Sequence, residues 1–151
     1  MEKLVIQSDI NNIIEVERFV YSVCDTFNIY NYSAVISVSL LEAVKNAIVH
    51  GNNGDSSKEV TITFDQCRGG VYFTVSDEGN GFDFRSAMKD KSVSDSNNGL
   101  FLMRSLSDVL SFQKDGSTVR LDFIINGIQA SRALERITTL RRYYAREVVE
   151  V

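Results

Sequence analysis

The sequence of 151 residues contains no proline, two cysteines and one histidine. Ordinary usage of ~5% would give about seven prolines, so the chain makes its turns with glycine, asparagine, aspartate and serine. Cys24 and Cys67 show no metal-ligand spacing, which excludes a disulfide scaffold or a zinc ribbon and fits a reducing cytoplasm. With His50 as the only histidine, neither a paired-histidine metal site nor a histidine relay can be built. Positive charge is not in excess: 16 Lys and Arg stand against 20 Asp and Glu, a formal charge of −4. The basic footprint of direct nucleic-acid binding is therefore missing. No apolar run approaches the ~18 residues of a membrane helix, and the N-terminus shows no signal-peptide pattern, so the chain is expected to stay out of the membrane. What is present is 44% hydrophobic and 24% charged residues, the make-up of one globular domain with a real core.

Lys3–Gln7 reads as a first strand. From Asp9 as N-cap, Ile10, Ile13, Ile14, Phe19, Val20, Val23, Cys24 and Phe27 recur at helical spacing to about Asn28. A second helix starts at Ser33 with Val35, Val38, Leu41, Val44 and Ile48 as its stripe, and stops at Gly51-Asn-Asn-Gly54. Glu59–Phe64 and Val71–Asp77 alternate across Cys67-Arg-Gly-Gly70 as an antiparallel hairpin. Gly79 to Asn98 has no sustained periodicity, and a stretch of that kind in a compact domain is usually functional or mobile. Gly99–Leu106 resumes helical character, and strands at Val109–Gln113 and Thr118–Ile125 follow, hinged at Lys114-Asp-Gly-Ser117. Residues 1–125 thus read as one α+β domain. Its architecture is two layers, a mainly antiparallel mixed sheet with helices on one face, which excludes the doubly wound nucleotide folds. Residues 126–151 hold five Arg against three Glu, with Leu134, Ile137 and Tyr144 at roughly helical spacing. They read as an appended helix that packs by burying this stripe, with a partner-binding surface as the alternative.

Three clusters could carry chemistry. Glu42, Asn46 and His50 are successive i, i+4 neighbours on the second helix. A carboxylate one turn from a carboxamide offers a base beside a neutral oxygen ligand of the kind Mg²⁺ accepts; a solvated polar face is the plainer alternative. Asp77-Glu-Gly79-Asn-Gly81 follows a strand directly. There an aspartate can accept from an amine and alternate glycines admit a ligand to the backbone, although any tight turn uses the same residues. Asn97-Asn98-Gly99-Leu100 leads from the long loop into a helix whose N-terminal amides could seat a phosphate; ordinary capping by asparagine would look the same.

In their order along the chain these clusters resemble the N, G1 and G2 boxes of the GHKL ATPase superfamily. The E-x-x-x-N-A-x-x-H-G form and the Gly99–Leu106 run G-L-F-L-M-R-S-L are most similar to the anti-sigma factor serine kinases, and Asp115-Gly-Ser-Thr118-Val-Arg-Leu121 resembles the start of that family's penultimate strand. The resemblance spans about residues 4–125. It implies the histidine kinase-like ATPase fold, with ATP and Mg²⁺ as cofactors. Glu42 would be the general base, Asn46 the Mg²⁺ ligand and Asp77 the adenine reader. Gly79 and Gly81 would line the base pocket with Thr118 near the adenine, and His50 would orient a phosphate or cap its helix end. Asn98, Gly99 and Leu100 would form the phosphate seat, under a loop that closes as a lid. Lys89, Lys91 and Arg104 are candidate charge partners for the phosphates. Asn97 stands where the third box usually has its first Gly, Asn98 where a basic residue is frequent, and Asn80 where a Pro is common.

The function this resemblance implies is an ATP-binding anti-sigma factor, a protein serine/threonine kinase that phosphorylates a STAS-type anti-anti-sigma partner. A sigma factor would be its other client, and a homodimer formed through the first strand and helix its assembly. A catalytically weak ATP-binding module that sequesters its partner is the alternative. The absence of a separate dimerisation helix with a phospho-acceptor disfavours a histidine kinase module.

Overall fold

A computed structural model describes residues 1–81, 99–125 and 130–149. Five strands, β1 (Glu2–Gln7), β2 (Glu59–Cys67), β3 (Gly70–Ser76), β4 (Val109–Gln113) and β5 (Thr118–Ile124), form one sheet in the order β1-β2-β3-β5-β4. Its four pairings are all antiparallel, so no parallel pair mixes into the sheet among the described residues. The alternation seen in the sequence fixes the register. Ile62 lies opposite Val75 and Phe64 opposite Phe73, while Phe73 and Val71 in turn face Leu121 and Phe123 of β5. All of these side chains are buried. A one-residue slip would turn each of them to solvent. The aromatic rings interlock, with Phe64 and Phe73 centroids 5.1 Å apart and Phe27 of the helical layer 4.9 Å from Phe64. The opposite face of the sheet is polar: Arg120 pairs with Asp122 at 2.8 Å and lies over the Tyr72 ring.

Helices α1 (Ile13–Thr26), α2 (Ser33–Asn46) and α3 (Gly99–Leu106) cover the apolar face. Asp9 accepts from the Asn11 amide at 2.9 Å and caps the turn that leads into α1, whose Val16, Val20, Val23 and Cys24 face inward. Burial pushes the Cys24 thiol up to about 11, so it serves as a small apolar side chain. α2 buries far more than one stripe. Ile36, Leu40 and Val44 enter the sheet-side core, while Val38 meets Leu102 and Leu106 of α3. The helical stretch Tyr30–Gly51 is, contrary to expectation, long and apolar enough to cross a membrane by length and composition. Here that composition serves a helix buried on opposite sides.

Helix α4 (Ala130–Val149) lies outside α2 and α3. The stripe expected to bury itself does not: Leu134, Ile137 and Tyr144 are exposed, and Leu140 and Tyr143 pack instead against the Val38, Leu102 and Leu106 cluster. The facing is set by charge. Arg136 Nη2 donates to Asp108 Oδ1 at 2.6 Å with both side chains almost wholly buried, and Asp108 Oδ2 accepts from the Ile124 amide at 2.6 Å. A buried carboxylate left without its cation is a severe penalty, so the arginine rather than the leucine turns inward.

Candidate nucleotide site

The fold brings the C-terminal half of α2, the turn after β3 and the first residue of α3 to one edge of the helical layer. Glu42 and Asn46 project from α2 one turn apart, as their spacing requires. The next turn is not α-helical. Ala47–Gly51 widens into a π turn, closed by the Asn52 amide donating to the Ala47 carbonyl at 2.8 Å. Single π turns are frequent at functional sites because they re-aim the side chains beyond them. Beyond it His50 is exposed, Gly51 lies against Asp77, and Asn52 turns into the interior.

Asp77 stands directly after β3, its amide donating to the Ser117 carbonyl at 2.9 Å. Its Oδ1 accepts from the Gly79 amide at 2.8 Å. A Cβ on Gly51 would lie 2.1 Å from its Oδ2, and a Cβ on Gly79 would lie 2.1 Å from the Gly51 carbonyl oxygen. The two glycines therefore let the backbone close around the carboxylate. Burial pushes the Asp77 carboxyl above its ordinary range, offset in part by the Gly79 hydrogen bond and the charge of Lys58. Among the described residues Oδ2 accepts no hydrogen bond. A carboxylate with one oxygen tied down, the other unpaired and water partly removed is suited to an exocyclic amine such as that of adenine. Gly81 has φ 85°, the left-handed region a glycine enters freely. Thr118 is buried on the neighbouring strand, its hydroxyl within 2.9 Å of the Ser76 hydroxyl, one residue before Asp77.

Gly99 completes the other end. A Cβ there would stand 2.9 Å from Glu42 Oε2 and 3.7 Å and 3.8 Å from the two terminal atoms of the Asn46 amide. The N-terminus of α3 thus rests on Glu42 and its neighbour. Leu100 sends its side chain into the core. Asn97 and Asn98, with Lys89 and Lys91, lie outside the described residues. Arg104 is exposed and lines a groove of about 590 Å³ between α3 and α4 together with Phe101, Leu134, Thr138 and Arg142.

Two contributors were missed by sequence reasoning. Asn52 is completely buried; its Nδ2 donates to Ser8 Oγ and to the Glu59 carbonyl, each at 3.1 Å, and its Oδ1 accepts from the Glu78 amide at 2.8 Å. It ties the end of β1 and the start of β2 to the turn that carries Asp77. Its Asn-Asn-Gly context reads as helix-stop chemistry, which hides the role. Lys45 places Nζ 3.6 Å from Glu42 Oε1; the i, i+3 spacing was the available signal.

No cluster of three metal-binding His, Cys, Asp or Glu side chains exists among the described residues. The donor set at α2, one carboxamide beside one carboxylate, fits Mg²⁺ that takes its remaining oxygens from phosphates and water.

A helical layer on an antiparallel sheet, with an acid–amide pair on one helix and an aspartate-glycine turn after a strand, is an architecture of the GHKL kind. The chain belongs to the histidine kinase-like ATPase domain family, whose model matches residues 6–123. Among curated proteins it is similar to the serine-protein kinase RsbW of Bacillus subtilis strain 168, 28% identical over 127 residues that cover 76% of this chain and 77% of the relative. RsbW of Bacillus velezensis is 27% identical with the same coverage, and RsbW of Bacillus licheniformis is 27% identical over 110 residues, 64% of this chain and 69% of the relative. Helix α4 lies beyond the family match.

Proposed function

We propose that this chain is an ATP-dependent protein serine/threonine kinase of the anti-sigma type, acting in the cytoplasm on a STAS-type anti-anti-sigma partner and holding a sigma factor as its other client. The names of the RsbW relatives support kinase activity. The observation that carries the reading is the seating of Gly99 on Glu42 Oε2 with Asn46 alongside. That contact supports a reading in which Glu42 as base, Asn46 as metal ligand and the α3 N-terminus act around one point. Phosphoryl transfer asks for little more than positioning, charge neutralisation and a base near the acceptor hydroxyl.

In this reading Asp77 accepts from the adenine amine and Gly79 and Gly81 let the ring approach the backbone. The α3 amides at Gly99 and Leu100 hold phosphate oxygens. Asn46 would hold Mg²⁺, which neutralises phosphate charge when bound. Glu42 takes the proton of the incoming serine. Exposed Val5 on edge strand β1 and Ile14 and Tyr21 on α1 suit a homodimer through these elements. A second reading, a weakly catalytic module that sequesters its partner, draws support from the Lys45 ammonium resting on the base.

The test is incubation with Mg-ATP and STAS-domain proteins encoded nearby, read by intact mass. A phosphorylated partner is expected. Glu42→Ala should slow transfer by about 10²–10⁴-fold, the usual share of a general base, with nucleotide affinity no weaker than wild type. Equal transfer by wild type and mutant would remove the base assignment. ATP binding without any transfer would favour the sequestering module.

A further inference from the structure

We propose that Lys45 is a phosphate-side cation of this site and that its pairing with Glu42 is a latch of the nucleotide-free state, released when the polyphosphate draws the ammonium away. The inference rests on the nucleotide reading above but not on catalysis.

The Glu42 carboxylate has two engagements. Its Oε1 faces the Lys45 ammonium at 3.6 Å, and its Oε2 lies against Gly99 at the start of α3. Lys45 is also the residue immediately before Asn46. The ammonium therefore stands beside the carboxylate that touches the phosphate seat, next to the amide suited to Mg²⁺. Arg104, the described cation of α3, lines the groove toward α4 together with Arg142.

The pair is suited to exchange. Glu42 is 15% exposed and Lys45 34%, so the base is largely withdrawn while its partner keeps contact with solvent on a flexible four-carbon stem. At 3.6 Å the contact is an ion pair rather than a short charged hydrogen bond. A triphosphate presents several negative charges where Glu42 presents one, and Coulomb attraction at similar distance favours the larger charge. Transfer of the ammonium to the phosphates would leave Glu42 without its cation at the moment a base is needed. Binding of the nucleotide and readiness of the base would then be coupled through one side chain.

Two effects on affinity separate this arrangement from a passive surface pair. Removing Lys45 should weaken ATP but not adenosine, since only ATP carries the charge it meets. Removing the charge of Glu42 should tighten ATP by freeing Lys45. Simple repulsion between Glu42 and the phosphates also predicts tightening, but it predicts a larger gain once Lys45 is gone, because the carboxylate is then unscreened. The latch predicts the opposite, a gain that shrinks without Lys45.

The experiment is calorimetric titration of Mg-ATP and of adenosine into wild type, Lys45→Met, Lys45→Arg, Glu42→Gln and the Glu42→Gln/Lys45→Met double mutant. Thermal unfolding verifies that each is folded. Lys45→Met should weaken ATP about tenfold, the scale of one charged contact, with adenosine unchanged and Lys45→Arg close to wild type. Glu42→Gln should tighten ATP about threefold, and this gain should fall below twofold in the Lys45→Met background. Unchanged ATP affinity in Lys45→Met, equal losses for ATP and adenosine, or a larger Glu42→Gln gain without Lys45 would each overturn the latch. ATP binding that follows the expected pattern with no phosphate transfer would leave the latch standing and reject the kinase.

Discussion

Gly51 and Asp77, 26 positions apart in the sequence, are in contact so close that one added methyl on Gly51 would lie 2.1 Å from Asp77 Oδ2 and 2.3 Å from Cγ. The glycine is there for space, not for an unusual dihedral. Gly51→Ala must push the carboxylate out of the position that Gly79 and the unpaired oxygen define. The expected outcome is a loss of ATP affinity of at least about tenfold and a destabilisation of about 1–3 kcal/mol, the range for overpacking a tight contact. Titration and urea unfolding of the one mutant check both.

Asp77→Asn should separate binding from stability. Burial raises the Asp77 carboxyl in the folded state, so the folded protein holds that proton more tightly than the unfolded chain. Stability is then lost as pH rises from the ordinary carboxylate range through the raised value. An amide at this position removes the burden. The mutant should unfold at neutral pH no earlier than wild type, with its advantage narrowing as the buffer is taken into the carboxylate range. ATP affinity should fall at least about tenfold, because the amide presents a second donor to the adenine amine in place of an acceptor. Melting curves at two pH values and one titration measure this. A lower melting temperature at neutral pH would contradict the electrostatic account.

Much of this arrangement was legible in the sequence because short-range rules decided it. The alternation of Val60, Ile62 and Phe64 and of Val71, Phe73 and Val75 fixed the hairpin, and the i, i+4 spacing of Glu42 and Asn46 fixed their common face. Features decided by tertiary competition were not legible. A π turn differs from an α turn by one hydrogen-bond partner, and the pattern Ala47–His50 is compatible with both, so the π turn had no local signal. The facing of α4 went the same way. Leu134, Ile137 and Tyr144 satisfied the amphipathic rule, yet Asp108, supplied by a different part of the chain, selected Arg136.

Asn52 is expected to act on stability before it acts on binding. Its three hydrogen bonds reach Ser8, Glu59 and Glu78 from a completely buried position. Asn52→Ala strands the Glu78 amide and removes a donor from the Glu59 carbonyl. A destabilisation of about 2–4 kcal/mol should result, the scale for unsatisfied buried groups left without replacement. Chemical denaturation reads the shift. Under conditions where the mutant is still folded, ATP affinity should stay within a few-fold of wild type, since Asn52 supports the turn from behind and does not face Asp77 Oδ2.

The Arg136–Asp108 pair makes a sharper prediction, because a buried ion pair responds asymmetrically to the loss of one or both charges. Arg136→Met leaves the Asp108 carboxylate buried without its arginine while it still accepts from the Ile124 amide, and should destabilise the chain by about 3–5 kcal/mol. Changing Asp108→Asn in the same molecule removes the uncompensated charge while an amide oxygen can still accept from Ile124, and should recover most of that loss. Truncation before Ala130 deletes Arg136 together with Leu140 and Tyr143, which cover Val38, Leu102 and Leu106. It should therefore be no less damaging than Arg136→Met and should add a tendency to aggregate. Unfolding midpoints of the single mutant, the double mutant and the truncation order these effects. A double mutant as unstable as the single one would mean that α4 is held by packing of Leu140 and Tyr143 alone, and that the charge pair does not choose its face.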